Sequence, residues 1–87
     1  MKSLSIKYAP TFIRMYKRLP HSLQIEVKEK IAHFQDPANH ATLRVHKLKN
    51  IKNTYAFSVN YQIRIVFHYE AKQVAGLLYV GSHDDVY

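Results

Sequence analysis

The stretch that decides the fold is residues 55–69, YAFSVNYQIRIVFHY. Two runs of aromatic and β-branched residues lie on either side of Asn60, and in each run the large side chains recur at every second position. This period of two is typical of β-strands that bury one face. We therefore predict two adjacent strands, Tyr55–Val59 and Tyr61–Tyr69, with the odd-numbered side chains toward the core. Arg64 would lie in the middle of the second strand, on the open face together with Val66.

The residues that follow predict a further strand at the interior of the sheet. We predict a hairpin-like connection over Glu70–Gln73. The segment after it, Val74–Val80, is apolar on both faces, as interior strands are. An antiparallel return would bring the early part of the Arg64 strand close to the end of this last strand. His83 follows that end directly, after the turn signal Gly81-Ser82.

The amino-terminal half predicts a strand followed by two helices. Residues 4–8 alternate apolar and polar side chains, and a first helix runs from Pro10 until Leu19-Pro20. A second helix begins at Pro20, stops at Asp36-Pro37, and carries one apolar stripe at helical spacing, Leu23, Val27, Ile31 and Phe34. Their tight connection makes them an antiparallel pair. Glu26 and Lys30 can form an ion pair on the outer face of the second helix.

The most basic part of the chain lies between the helices and the central strands. Leu43–Leu48 alternates again, which predicts a strand with Leu43 and Val45 inward and Arg44 and His46 outward. Lys47, Lys49 and Lys52 follow in a turn flanked by Asn50 and Asn53, and asparagine tolerates positive φ.

The order of strand, helix, helix and then three to four further strands indicates an α+β fold. We expect one domain over residues 1–87, with two antiparallel helices on one face of a mainly antiparallel sheet. The opposite face would be open and basic.

The amino-acid composition restricts the kinds of function that the protein can have. Thirteen Lys and Arg against six Asp and Glu give a net charge of +7, which favours polyanionic partners and nucleic acid above all. The absence of cysteine excludes a disulfide scaffold, a thiolate zinc site and thiol catalysis. No apolar run reaches the ~20 residues of a membrane span, and residues 1–8 do not have the apolar stretch that a signal peptide contains. We expect a cytoplasmic protein with no membrane partner.

The candidate site combines Arg64, His46 and His83 near one corner of the sheet. An arginine and two histidines without a nucleophile or a metal cage suit metal-free RNA cleavage, in which the 2′-OH of the substrate attacks the adjacent phosphorus. The protein would supply a base, an acid and fixed positive charge. Two plainer interpretations stay open: a surface Arg64 that only pairs with Glu70, and a metal site at residues 83–85 (His-Asp-Asp). The second is disfavoured because three adjacent residues on one loop seldom converge on an ion.

Three motifs in this order resemble the toxins of the RelE/ParE superfamily of bacterial type II toxin–antitoxin systems, and most closely its RelE/YafQ-like ribonuclease branch. The motifs are Leu43-x-x-His46-Lys47-Leu48, Tyr55-x-Phe57-Ser58-Val59-x-Tyr61-x-Ile63-Arg64-Ile65-Val66-Phe67 and Leu77-Leu78-x-Val80-Gly81-x-His83-Asp84-Asp85-Val86-Tyr87. The resemblance covers essentially the whole chain, and the closing motif is the most specific of the three.

This resemblance implies a RelE-like, microbial-ribonuclease-like fold and an endoribonuclease, an mRNA interferase that cuts messenger RNA on the ribosome without metal or other cofactor. It implies that Arg64 stabilises the scissile phosphate, that His83 is the general acid, and that Tyr87 orients a base or the leaving group. His46 is the best candidate for the general base, and a lysine of residues 47–52 is the second. RNA binding is assigned to Arg44, Lys47, Lys49 and Lys52.

The same resemblance implies a cognate antitoxin whose acidic, partly disordered segment would fold onto the basic face. A homodimer and a heteromer with the antitoxin both stay open.

The chain departs from the family pattern in three places. Asn50 replaces a usual glycine, which its tolerance of positive φ makes harmless. The second histidine and the aspartate of YafQ-like toxins are absent from residues 58–61, and the glutamate base of YoeB-like toxins has no counterpart near Thr42. Since a fold alone does not determine activity, two alternatives stay open: a ParE-like inhibitor of DNA gyrase, and a non-catalytic module that binds operator DNA with its antitoxin.

Overall fold

A five-stranded mixed sheet forms the centre of the protein, and the computed structural model describes residues 3–82. The elements follow in the order β1 (Ser5–Tyr8), α1 (Pro10–Lys17), α2 (His21–Phe34), a short 3-10 helix (Pro37–Asn39), β2 (His46–Lys47), β3 (Thr54–Ser58), β4 (Ile63–Ala71) and β5 (Val74–Ser82). The strand order is β1-β5-β4-β3-β2, with β1 parallel to β5 and the other neighbours antiparallel. The predicted α+β fold is confirmed, and so is the interior place of the last strand.

The core lies between the helices and one face of the sheet. Phe34, the last residue of α2, is fully buried and stacks on Phe57 of β3 at a ring-centroid distance of 4.3 Å. Its ring also meets Phe67 of β4 edge-on at 4.7 Å and stacks on His40 at 4.9 Å. The predicted apolar stripe of α2 faces this core, because Val27 and Ile31 are buried with Phe34. The helices therefore cover one face, and we call the other the open face.

Proline sets the start of both helices. Pro10 is the first residue of α1, and Pro20 caps the amino end of α2. Residues 18–20 connect the two helices, and the side-chain amide of Gln24 donates back to the carbonyl of Tyr16 at 3.0 Å. Neither helix, within the part of the chain that is described, has the length and apolar character that a membrane-spanning helix needs.

The strand predicted over Leu43–Leu48 is much shorter than expected, since only His46–Lys47 pairs with β3. The backbone before it closes turns instead: the N–H groups of Leu43 and Val45 donate to the carbonyls of Asn39 and His40, and Arg44 has a φ of 59°. Leu43 is nevertheless buried, and Val45 packs against the core. The apolar alternation was therefore correct about burial and wrong about conformation.

The strand predicted over Tyr61–Tyr69 begins two residues later, at Ile63. Asn60 folds the chain into a tight turn, because its side-chain oxygen accepts hydrogen bonds from the backbone N–H groups of Gln62 and Ile63. Tyr61 is consequently not in the core, and 95% of its surface is exposed. The predicted positive φ values of Asn50 and Asn53 are confirmed at 68° and 53°.

The open face is less open than predicted. Val66 and Ala56, which lie side by side on it, are 2% and 0% exposed. The register places these small side chains between two larger ones, His46 on β2 and Tyr79 on β5, and Tyr79 is 42% exposed. One row of side chains thus crosses the open face, in the order His46, Ala56, Val66 and Tyr79.

Candidate functional site

Arg64 lies at one end of the open face, in a row next to the one just described. It pairs with Ser58 of β3 on one side and with Gly81 of β5 on the other. The predicted approach of the early part of β4 to the end of β5 is confirmed by this register. His46 lies two strands away and one row along, a Cα separation of roughly 12 Å from strand geometry.

Among the described residues, the β3–β4 turn holds the guanidinium of Arg64 and no acid does. Its Nη1 donates to the carbonyl of Asn60 at 2.9 Å and also lies 3.4 Å from the carbonyl of Tyr61. Within residues 3–82 nothing pairs with its Nε or Nη2. The alternative pairing with Glu70 is wrong, because that carboxylate lies 3.8 Å from Lys7 and 3.4 Å from His68. Neutral carbonyls therefore orient Arg64, and no acid of residues 3–82 neutralises its charge.

The turn that holds Arg64 is itself anchored to α2. Besides the two backbone N–H groups that bond to its oxygen, Asn60 donates from Nδ2 to the carboxylate of Glu26. Glu26 has this partner in place of the predicted ion pair with Lys30, which does not form among the described residues. One asparagine thus connects the helix layer, the turn and, through its carbonyl, the arginine.

His46 has a defined tautomer. Its Nδ1 lies 2.8 Å from the carbonyl oxygen of Arg44, which can only accept a hydrogen bond. In the neutral ring Nδ1 must therefore carry the proton, and Nε2 is left as the basic nitrogen. The side chain is exposed at the edge of the sheet, so Nε2 is accessible to a substrate proton.

A groove of about 610 Å³ runs beside the turn and gathers positive charge. Arg64 lines it together with Arg44 and Lys30, which approach from the segment before β2 and from α2. The other lining residues are neutral and include no Asp or Glu: Thr42, Leu43, Ser58, Val59, Asn60 and Tyr61. Three cations and no acid of the described residues line the groove, although Asn60 in its lining bonds to the carboxylate of Glu26, and this excess of positive charge favours an anion.

The predicted RNA-binding lysines lie elsewhere. Lys47 ends β2, and Lys49 and Lys52 lie in the β2–β3 loop that follows; together with Asn50 and Ile51 they line a second, open concavity of about 650 Å³. This loop precedes Thr54, whereas Arg64 pairs with Ser58 at the other end of β3. Strand alternation also puts Lys47, the partner of Tyr55, on the face opposite His46. Of the four basic residues assigned to RNA, only Arg44 joins Arg64.

The remaining predicted site residues, His83 and Tyr87, lie outside the described residues, as do Asp84 and Asp85. Gly81, two positions before His83, is the direct neighbour of Arg64. Among residues 3–82, no three His, Asp or Glu side chains come together in a way that could hold a metal ion.

Four residues of this region were not predicted as part of the site: Lys30, Asn60, Tyr61 and Tyr79. Asn60 between two strand-like runs is a turn signal, and it could have extended the turn over the two residues after it, which the alternation assigned to the strand. Tyr61 was assigned to the core because its spacing matched the strand period, and Tyr79 was taken as part of a strand that is apolar on both faces. Lys30 enters the groove from a helix, and nothing in its local sequence indicates that contact.

No protein-family model matches the chain, and a comparison with curated proteins finds no match. Solved structures do match. The E. coli DinJ–YafQ toxin–antitoxin complex matches with a TM-score of 0.76 at 12% identity, covering 98% of both chains. The intact E. coli RelBE toxin–antitoxin complex matches with a TM-score of 0.71 at 16% identity, covering 92% of this chain and 96% of the other.

A third match is the YoeB dimer from Staphylococcus aureus, with a TM-score of 0.67 at 18% identity, covering 93% of this chain and 98% of the other. At such low identities the likeness is one of fold, and it extends over almost the whole of each chain. The resemblance stated from the sequence motifs is confirmed at that level: the chain has the fold of the RelE, YafQ and YoeB toxins.

Proposed function

We propose that the chain is a toxin of a type II toxin–antitoxin system, and that it cleaves messenger RNA on the ribosome. The observation that carries the proposal is Arg64. Its guanidinium is oriented by the carbonyls of the β3–β4 turn, has no acidic partner among the described residues, and faces a groove shared with Arg44 and Lys30. An arginine in such surroundings suits a phosphate, which it can bind through its planar fork.

The reaction would use the substrate's own 2′-OH as nucleophile. That oxygen loses its proton to Nε2 of His46 and bonds to the adjacent phosphorus, while the bond from phosphorus to the 5′-oxygen breaks. The leaving 5′-oxygen takes a proton from His83, and Arg64 stabilises the charge on the phosphorane. The products are a 2′,3′-cyclic phosphate and a 5′-hydroxyl, so atoms and protons balance.

The contribution of each of these groups to the cleavage rate can be given as an expected factor. Removing one group that stabilises developing negative charge typically lowers a rate by ~10²–10³-fold. A positioned acid or base contributes ~10²–10⁴-fold. Loss of Arg64 or of either histidine would therefore make cleavage too slow to stop growth.

The experiment compares growth and RNA in cells that express the parent chain, Arg64→Ala or His83→Gln. We expect the parent to stop growth and to create new 5′-hydroxyl ends in coding regions, and both variants to do neither. Arg14→Ala is the matched control, because Arg14 is an exposed α1 arginine that bonds only to Thr11 at 3.2 Å. It removes the same charge and should behave like the parent.

Two results would overturn the proposal. If Arg64→Ala stops growth as the parent does, the arginine has no part in toxicity. If the parent stops growth while messenger RNA stays intact and DNA supercoiling changes, the chain acts on gyrase instead.

The antitoxin is the proposed protein partner. Two of the similar structures are complexes of a toxin with its antitoxin. In this chain, no Asp or Glu of the described residues lines the groove around Arg64, so its positive charge would attract an acidic segment as well as RNA. We expect a small acidic protein encoded beside this one to bind tightly and to block cleavage, which co-expression with the parent would test.

A further inference from the structure

Tyr61 is the most exposed of the large apolar and aromatic side chains that reach the surface of the described residues, at 95%. Single exposed apolar residues are common and need no explanation by themselves. Two further observations set this tyrosine apart: the rigidity of the backbone that carries it, and the chemistry of its surroundings.

The backbone of Tyr61 is fixed on both sides. Asn60 accepts hydrogen bonds from the N–H groups of Gln62 and Ile63 at 2.8 and 2.9 Å, and it is tied to Glu26 of α2. The carbonyl of Tyr61 itself lies 3.4 Å from Nη1 of Arg64. Because the turn is already ordered, a ligand that packs on the ring need not immobilise the loop, which lowers the entropic cost of binding.

Tyr61 shares its groove with cations. It lines the groove together with Arg44, Arg64 and Lys30, and no Asp or Glu of residues 3–82 lines it. Positive charge for phosphates next to an exposed aromatic ring is the arrangement with which proteins bind single-stranded nucleic acid, whose unpaired bases stack on the ring.

We propose that Tyr61 is a binding subsite for one unpaired RNA base, on which the base stacks while a neighbouring phosphate lies against Arg64. This inference rests on the proposed function for the identity of the RNA and extends it to the way the strand is held. Tyr61 is a positioning residue: it touches the substrate away from the reacting bond, and sets which nucleotide presents its phosphate to Arg64.

A single-stranded substrate fits better than a duplex or a protein segment. In a duplex the bases stack on one another, so a single ring on a short turn has no free base face to contact. The carboxylates of an acidic protein segment would pair with the cations but would gain nothing from the ring, because the face of an aromatic ring is electronegative. Stacking contributes ~1–3 kcal/mol per base, which corresponds to about 5- to 150-fold in affinity.

The test uses a short single-stranded 2′-O-methyl oligoribonucleotide that contains 2-aminopurine. The 2′-O-methyl groups prevent cleavage, and the fluorescence of 2-aminopurine falls when the base stacks. We expect the parent and Tyr61→Phe to bind and to quench the fluorescence alike. Tyr61→Ala should bind about 5- to 150-fold more weakly and lose the quenching.

Tyr8→Leu serves as the control, since Tyr8 is a second exposed ring that packs on Phe12 near the helices and outside the groove. It should bind RNA like the parent. Circular dichroism and the melting temperature of each variant separate a loss of binding from a loss of folding.

The outcomes distinguish this inference from the proposed function. Equal binding and quenching by Tyr61→Ala overturns the inference, whether or not the parent cleaves RNA. If Tyr61-dependent quenching occurs without any cleavage of unmodified RNA on ribosomes, the inference holds and the nuclease proposal fails. If Tyr61→Ala weakens only the affinity for the acidic antitoxin, the ring belongs to the protein interface and the RNA subsite is wrong.

Discussion

The substitution Asn60→Ala tests how the site is anchored to the fold. The asparagine side chain makes three hydrogen bonds, two to backbone N–H groups of the β3–β4 turn and one to the carboxylate of Glu26. Alanine removes all three and leaves the N–H of Ile63 and the carboxylate in partly buried positions without this partner. The chain should still fold, because the turn lies outside the hydrophobic core.

The loss of stability expected for Asn60→Ala depends on how exposed each of these three hydrogen bonds is. The bond to Gln62 is exposed, so water replaces it at little cost. A net contribution of ~0.5–1.5 kcal/mol is typical for a neutral bond such as that to Ile63, and ~1.5–3 kcal/mol for a bond to a charged group such as that to Glu26. The two contributions together give an expected loss of about 2–4.5 kcal/mol in the free energy of unfolding. For a domain of this size that lowers the melting temperature by roughly 8–36 °C.

Urea denaturation of the parent, Asn60→Ala, Glu26→Gln and the double variant measures this directly. Because Asn60 and Glu26 contact each other, their effects should not add, and a coupling energy of ~0.5–2 kcal/mol is expected. Glu29→Gln is the matched control, an exposed α2 glutamate, and should change stability by less than ~0.5 kcal/mol. If Asn60→Ala is as stable as the parent and the two effects add, the turn is not anchored as described. RNA cleavage should also fall in Asn60→Ala, since Arg64 depends on the same turn.

Three further predictions concern single side chains. Arg64→Lys should not restore cleavage, because an ammonium lacks the planar fork that bonds both to the Asn60 carbonyl and to a phosphate; cleavage as fast as that of the parent would contradict this. His46→Gln should lower the cleavage rate ~10²–10⁴-fold while His21→Gln does not, and equal rates in single-turnover assays would exclude His46 as the base. Phe34→Ala should destabilise the fold by ~3–5 kcal/mol in denaturant titration, and a loss below ~1 kcal/mol would contradict the packing described.

The sequence was sufficient for the architecture because the hydrophobic pattern and the chain breakers agree. Pro10 and Pro20 mark the helix starts, Val27, Ile31 and Phe34 define the buried stripe, and the turns at Asn50 and Asn53 have the positive φ expected of asparagine. These signals are local, and the physical preferences behind them act within a few residues.

The predictions were wrong where tertiary contacts determine the backbone conformation. The alternation over Leu43–Leu48 records burial correctly, but backbone turns satisfy the same burial without a strand. Tyr61 fits the period of β4 and yet lies in the preceding turn, because Asn60 bonds to α2 and to the following N–H groups.

The candidate site was predictable only in part, because local strand patterns can be read from the sequence and long-range contacts cannot. Strand periodicity correctly placed Arg64 and His46 on the open face, and antiparallel pairing correctly placed Arg64 beside the end of β5. Which basic residues share a groove with Arg64 depends on chain segments far apart in sequence. Lys30 arrives from a helix, whereas Lys49 and Lys52 are held at the other end of β3.

The most direct test of the central claim is in vitro cleavage of messenger RNA on translating ribosomes, with the chemistry of the new ends mapped. The parent chain should produce 5′-hydroxyl and 2′,3′-cyclic phosphate ends within the coding sequence without added metal. Arg64→Ala should lower the rate by ~10²–10³-fold, and Arg14→Ala should leave it unchanged. Intact messenger RNA with the parent, or equal cleavage by parent and Arg64→Ala, would contradict the proposed function.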